Sequence, residues 1–115
     1  MKRFPKVVLF VSYTFFSSFC LAEGFANGLT VVEVRTDRSG KGLIKFSNLL
    51  EKTPPSCASS NARHLSFNTN NAGGRAILSL ALSAQAQGAK VYARGTGACN
   101  DYSSVETWNW GYIKD

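Results

Sequence analysis

Residues 29–36 (LTVVEVRT) are a run rich in β-branched side chains, which predicts a strand, and the pattern of apolar and polar positions around it follows the spacing of strands. A period of two predicts a strand with one buried face. Asp37-Arg38-Ser39-Gly40 supplies turn chemistry, and residues 42–48 (GLIKFSN) then alternate, with Ile44 and Phe46 on one face and Lys45 and Ser47 on the other. These two strands read as a hairpin. The stretch that follows carries Thr53-Pro54-Pro55-Ser56-Cys57 and Ser59-Ser60-Asn61, too punctuated by proline and serine for regular structure. Residues 63–69 (RHLSFNT) form a third strand, with Leu65 and Phe67 inward and His64, Ser66 and Asn68 outward.

The period then changes to 3.6. Ile77, Leu80, Ala81 and Ala84 fall at i, i+3, i+4 and i+7, which predicts a helix over residues 72–87, with Leu78 and Leu82 widening the stripe. Asn70 or Asn71 is suited to cap its start, and Gly88 to end it in a left-handed conformation. Residues 89–95 (AKVYARG) and 104–113 (SVETWNWGYI) complete the set as strands four and five, joined by a loop that holds Cys99. The order β-β-β-α-β-β predicts a mainly β fold and suits an OB-fold-like five-stranded barrel with one helix plugging its end. A five-stranded sandwich or an open α+β sheet has the same element order.

The first 22 residues have a different character. Lys2, Arg3 and Lys6 precede an apolar stretch over residues 7–19, and Cys20-Leu21-Ala22 places small residues at the −3 and −1 positions of a cleavage site. This is the layout of a signal peptide, and the stretch is short for a membrane span. The expected product is a single domain over residues 23–115 in a secreted or periplasmic setting. Half of the formal net charge of +6 resides in those three leader cations. The remaining basic residues are scattered, without the clustered stripe that phosphate binding uses, so nucleic acid is not the expected partner.

Loss of the leader would also remove Cys20 and leave Cys57 and Cys99. An even pair in an exported chain reads as a disulfide. Two cysteines and His64 do not make a zinc site, and no metal or cofactor is expected.

The run from Phe67 to Cys99 (FNTNNAGGRAILSLALSAQAQGAKVYARGTGAC), the earlier PPSC ending at Cys57 and the later Val105-Glu106 together resemble a known layout. They are similar to small exported bacterial proteins of the AB5 toxin B-subunit family, the subtilase cytotoxin type in particular. The resemblance implies an OB-like subunit, assembly as a homopentamer, cell-surface glycan as ligand and a toxin A subunit as partner. No sugar-contact residue carries over from the family.

Nucleophilic hydrolysis needs a nucleophile, a base and an orienting group, and the sole imidazole, His64, falls on the outward side of a strand. The acids Glu33, Asp37, Glu51, Asp101 and Glu106 offer no close pair of the kind glycosidases use. Gly73-Gly74 and Gly95-Thr96-Gly97 lack the strand-to-helix setting of a phosphate loop and read as a helix start and a strand-end turn. A non-enzymatic binding module is therefore expected.

In the last strand Trp108, Trp110 and Tyr112 share one face, opposite Val105, Thr107, Asn109 and Ile113. If the second set is inward, the three aromatics stand outside beside Tyr92 and Arg94, as a platform for sugar rings or another subunit. If a bulge changes the register, one or both tryptophans fill the core. The loop Asn100-Asp101-Tyr102, next to the expected disulfide, adds polar and aromatic groups suited to hydroxyl recognition. The alternative is a monomeric periplasmic OB module that binds a protein or an oligonucleotide.

Overall fold

The computed structural model describes residues 23–114; the segment read as a signal peptide lies outside the described residues. The strands are β1 (Phe25–Leu29), β2 (Val31–Thr36), β3 (Lys41–Phe46), β4 (His64–Asn68), β5 (Lys90–Gly95) and β6 (Trp108–Lys114), with helix α1 (Ala72–Gln87) between β4 and β5. They form two antiparallel three-stranded sheets, ordered β1-β5-β6 and β2-β3-β4. A mainly β chain with one long helix is thus present, with six strands in place of the five predicted.

The extra strand comes from the N-terminal end. The run expected to be one strand from Leu29 divides at Thr30, so that β1 pairs with β5 while β2 pairs with β3. Glycine and asparagine in β1 (FANGL) hid it from a reading based on propensity. The two sheets also meet at a second place, where Ser66 of β4 bridges Thr107 in parallel and the Ser66 amide donates to Glu106 O at 2.8 Å.

The apolar inward residues are the ones that alternation predicts, but Ser66, expected to face outward, is fully buried because its hydroxyl donates to Glu106 O at 3.0 Å. Ile44 and Phe46 of β3, Leu65 and Phe67 of β4, and Val91 and Ala93 of β5 are essentially inaccessible to solvent. Helix α1 seals this core with Ala81 and Ala84, both buried, and with the partly buried Ile77, Leu78 and Leu80. Small residues at 81 and 84 let its backbone approach closely, while Leu82 lies off the stripe and is exposed. The ends match the expected caps: Asn71 Oδ1 accepts from the Gly74 amide at 2.7 Å, and Gly88, at φ 62°, donates back to Ala84 and Gln85. Among the described residues no helix is long and apolar enough to cross a membrane.

Cys57 and Cys99 form a disulfide across 42 positions. It ties the Pro-rich segment and the short 3₁₀ turn Ser56–Ala58 to the loop that enters β6. Closing a loop of that length restricts the unfolded chain by about 4 kcal/mol in the chain-entropy description. Replacing both cysteines by alanine is expected to lower the unfolding free energy by about that amount. The measurement is a urea melt of the double variant beside the oxidised parent; coincident midpoints would show that the loops hold without the bridge.

Candidate functional site

The outward face of β1-β5-β6 is built by register. Phe25, Arg94 and Trp110 lie in one cross-strand row, and Asn27, Tyr92 and Tyr112 lie in the next. Tyr92 and Tyr112 stack at 5.3 Å with planes 9° apart, and Trp110 continues the stack onto Tyr112 at 6.3 Å and 8°. Trp110 and Tyr112 remain 47% and 45% exposed, so the stack presents aromatic surface to solvent. Cations frame the stack: the Arg94 guanidinium covers Phe25 at 4.5 Å and Lys114 Nζ approaches Tyr92 at 5.8 Å. Asn27 Nδ2 donates to Glu51 Oε1 at 3.2 Å, a polar group at the margin of the face.

Trp108, predicted with this set, departs from it. Gly95 pairs with Trp108 and Arg94 with Trp110, so Asn109 is an extra residue in β6. That bulge reverses the side-chain alternation between the two tryptophans. Trp108 therefore enters the core, 4% exposed, with its ring 6.0 Å from Phe46, while Trp110 stays outside.

Asn100, Asp101 and Tyr102 also lie apart from the aromatic face. The amides of Asn100 and Asp101 both donate to Thr107 Oγ1, at 2.8 and 3.4 Å. The Tyr102 hydroxyl donates to Asp37, whose carboxylate also receives Arg35 Nε at 2.8 Å and Nη2 at 3.1 Å. Together with the disulfide these bonds fasten the loop to the β2–β3 turn and to the entry of β6. Of the three side chains, the Tyr102 hydroxyl is thus engaged within the fold, while Asn100 and Asp101 are held through their backbone amides.

Glu106 has a role that sequence reasoning missed. Its side chain is 1% exposed, and its carboxylate accepts the Gly24 amide on both oxygens, at 3.1 and 3.0 Å, and the Gly97 amide at 3.0 Å. A Cβ at Gly24 would stand 2.7 Å from Oε1, and one at Gly95 would overlap the carboxylate itself. Gly97, at φ 81°, turns its amide toward the acid from a conformation that favours glycine. The G-x-G run is therefore a cradle for an internal carboxylate. The signal was the conjunction of Gly24, Gly95 and Gly97 with a lone acid between Val105 and Thr107. Burial pushes the Glu106 pKa up, the Gly24 and Gly97 amides pull it back in part, and nearby Glu23 adds to the rise.

His64 is half-buried, where a solvated strand residue was expected. Its Nδ1 is buried without a partner, and its pKa is lowered chiefly by burial and then by Lys45. Among the described residues no three His, Cys, Asp or Glu side chains gather in a metal-binding group. Compared with protein-family models, curated proteins and solved structures, the chain matches none of them.

The cradle generates a pH prediction. Folding raises the Glu106 pKa above its ordinary 4.5, so the folded state holds that proton at a pH where the unfolded state has released it. The contribution to stability is therefore full below the ordinary value and is lost as pH rises through the folded-state value. Between neutral pH and 4.5 the Glu106 contribution grows as pH falls, while the lowered His64 pKa acts the other way. The urea-midpoint difference between parent and Glu106→Gln is therefore expected to grow in the parent's favour as pH falls. At neutral pH that variant faces amide donors with an NH2 group and should lose about 1–3 kcal/mol. Equal profiles for the two proteins would remove Glu106 as the titrating group.

Proposed function

We propose that this chain is an exported, non-enzymatic binding module that presents the Trp110–Tyr112–Tyr92 stack to a cell-surface glycan. The observation that carries this reading is the coplanar, half-exposed aromatic stack on one sheet face. Pyranose rings expose patches of C–H that pack on such surfaces, and a preorganised stack needs little reordering on binding. The asparagine and the cations on the same face offer hydrogen bonds to hydroxyl or acidic groups.

The architectural part of the reading is an OB-like barrel. It is supported by the way β1 and β2 succeed each other across Thr30, and by the parallel Ser66–Thr107 bridge, which would be the two seams between the sheets. A homopentamer is supported by the sheet edges. β6 and β2 are each an edge strand, one in each sheet. Such edges attract a further strand, and joining two different edges of neighbouring copies is the heterologous contact from which rings are built. Export is supported by the formed disulfide together with the leader-like start. The AB5 resemblance supplies the wider setting, with an A subunit as partner.

A second reading rests on Lys90 and Lys114, which are register partners in β5 and β6, and on Arg94, four positions further along β5. Aromatics flanked by cations also suit a single-stranded oligonucleotide, whose bases stack and whose phosphates need neutralising. This would be the monomeric periplasmic alternative.

Trp110→Ala and Tyr112→Ala are each expected to weaken glycan binding by roughly tenfold or more, the effect of about 1–3 kcal/mol per stacked ring. Folding should be preserved, because both side chains already face solvent. Array binding followed by titration of the best ligand checks this; unchanged affinity in both variants would exclude the face. Oligonucleotide binding that falls steeply with salt would favour the second reading. Light scattering across a dilution series is expected to give about five chains per particle, the ring that heterologous closure produces. A monomer at every concentration would exclude the ring.

A further inference from the structure

A cavity of about 240 Å³ lies away from the aromatic face, with no residue in common with it. Its wall runs from Ser59 to His64 and is completed by Leu49, which is 61% exposed. The charge around it is predominantly positive. Arg63 commits Nε and Nη2 to Phe46 O, at 3.2 and 3.0 Å, and keeps its other N–H groups. Lys45 pairs with His64 across the β3–β4 ladder, and Glu33 pairs with Lys45 across the β2–β3 ladder. Two cations thus surround the imidazole against a single acid, and their field lowers its proton affinity beyond the effect of burial.

Donors accompany that field. The amides of Ser60 and Ala62 make no backbone hydrogen bond among the described residues, and Ser59 and Ser60 add two hydroxyls to the wall. His64, which also lines the pocket, has its Nδ1 buried without a partner among the described residues. A guanidinium with free N–H groups, serine hydroxyls and unpaired loop amides in one lining are the donor types that capture a carboxylate. The exposed Leu49 at the rim favours a carboxylate that carries an apolar neighbour over one set among hydroxyls.

We propose that this pocket binds the C-terminal carboxylate of a peptide that ends in an apolar residue, the carboxylate set against Ser60, Ala62 and Arg63 and the apolar side chain against Leu49. The site is separate from the glycan face, and the module would then hold two partners at once. Binding of an anion beside His64 favours its protonated form, so occupancy and protonation are coupled in both directions.

The test is an NMR titration of the His64 ring in the oxidised protein, with N-acetylleucine, N-acetylleucinamide and glucuronate as probes. N-acetylleucine is expected to raise the His64 midpoint by about one pH unit, the tenfold coupling of a facing charge. It should also perturb the amides of Ser60 and Ala62. The uncharged amide and glucuronate should leave all three signals in place. Lys45→Gln and Arg63→Gln should each reduce the acid-induced shift; Lys45 makes no bond the fold relies on, so the first variant separates loss of binding from loss of structure. Equal responses to the acid and its amide, a response to glucuronate alone, or no response to any probe would overturn the proposal. Because the readout is confined to this pocket, its outcome is independent of glycan binding at Trp110 and Tyr112.

Discussion

Glu106 is the residue at which the two sheets are fastened together. Its buried carboxylate holds Gly24 ahead of β1 and Gly97 behind β5, while its backbone carbonyl accepts the Ser66 amide and hydroxyl from β4. One residue thereby joins the N-terminal segment, the strand-end turn and the second sheet. An ionised or protonated carboxyl in such a place is costly unless its oxygens are met by donors, and the surrounding glycines are what allow backbone amides to come so close. The position of β1, and with it of Phe25 and Asn27 on the outer face, depends on this arrangement.

The second decisive feature is the single extra residue at Asn109. Without it, side-chain alternation would carry Trp108 and Trp110 to the same side of β6. With it, Trp108 packs on Phe46 in the core and Trp110 joins Tyr112 and Tyr92 on the surface. Core packing and the exposed aromatic face are therefore divided between two aromatics only two positions apart. The disulfide and the Tyr102–Asp37–Arg35 cluster hold the preceding loop, so the strand enters this bulge from a fixed direction.

The two binding readings draw on different physical resources of the same frame. The aromatic face offers stacked rings on rigid strands, with cations at its margin. The pocket beside His64 instead offers charge, loop amides and a half-buried imidazole, positioned by the pinned segment between β3 and β4. A sheet supplies the first through register, whereas the second arises where the chain leaves β3 and re-enters at β4.

What the sequence determined by itself was whatever depends on local periodicity and on pairing arithmetic. The helix over residues 72–87 follows from its 3.6-residue stripe and its Asn71 and Gly88 caps, and the inward sets Ile44/Phe46 and Leu65/Phe67 follow from strict alternation. The Cys57–Cys99 bridge follows from there being two cysteines left to pair. Strand parity put Trp108, Trp110 and Tyr112 together and left a bulge as the alternative, so only the tertiary register settled that Trp110 and Tyr112 stand on one face without Trp108. Tertiary structure alone decided the rest. The division of the first strand at Thr30, the burial of Trp108 against Phe46 and the bond from Tyr102 to Asp37 each depend on partners far along the chain. The glycine cradle shows the reason most clearly: Gly24 and Glu106 are separated by 82 positions, and no local pattern records that a carboxylate and an amide will meet once both sheets have closed over the same core.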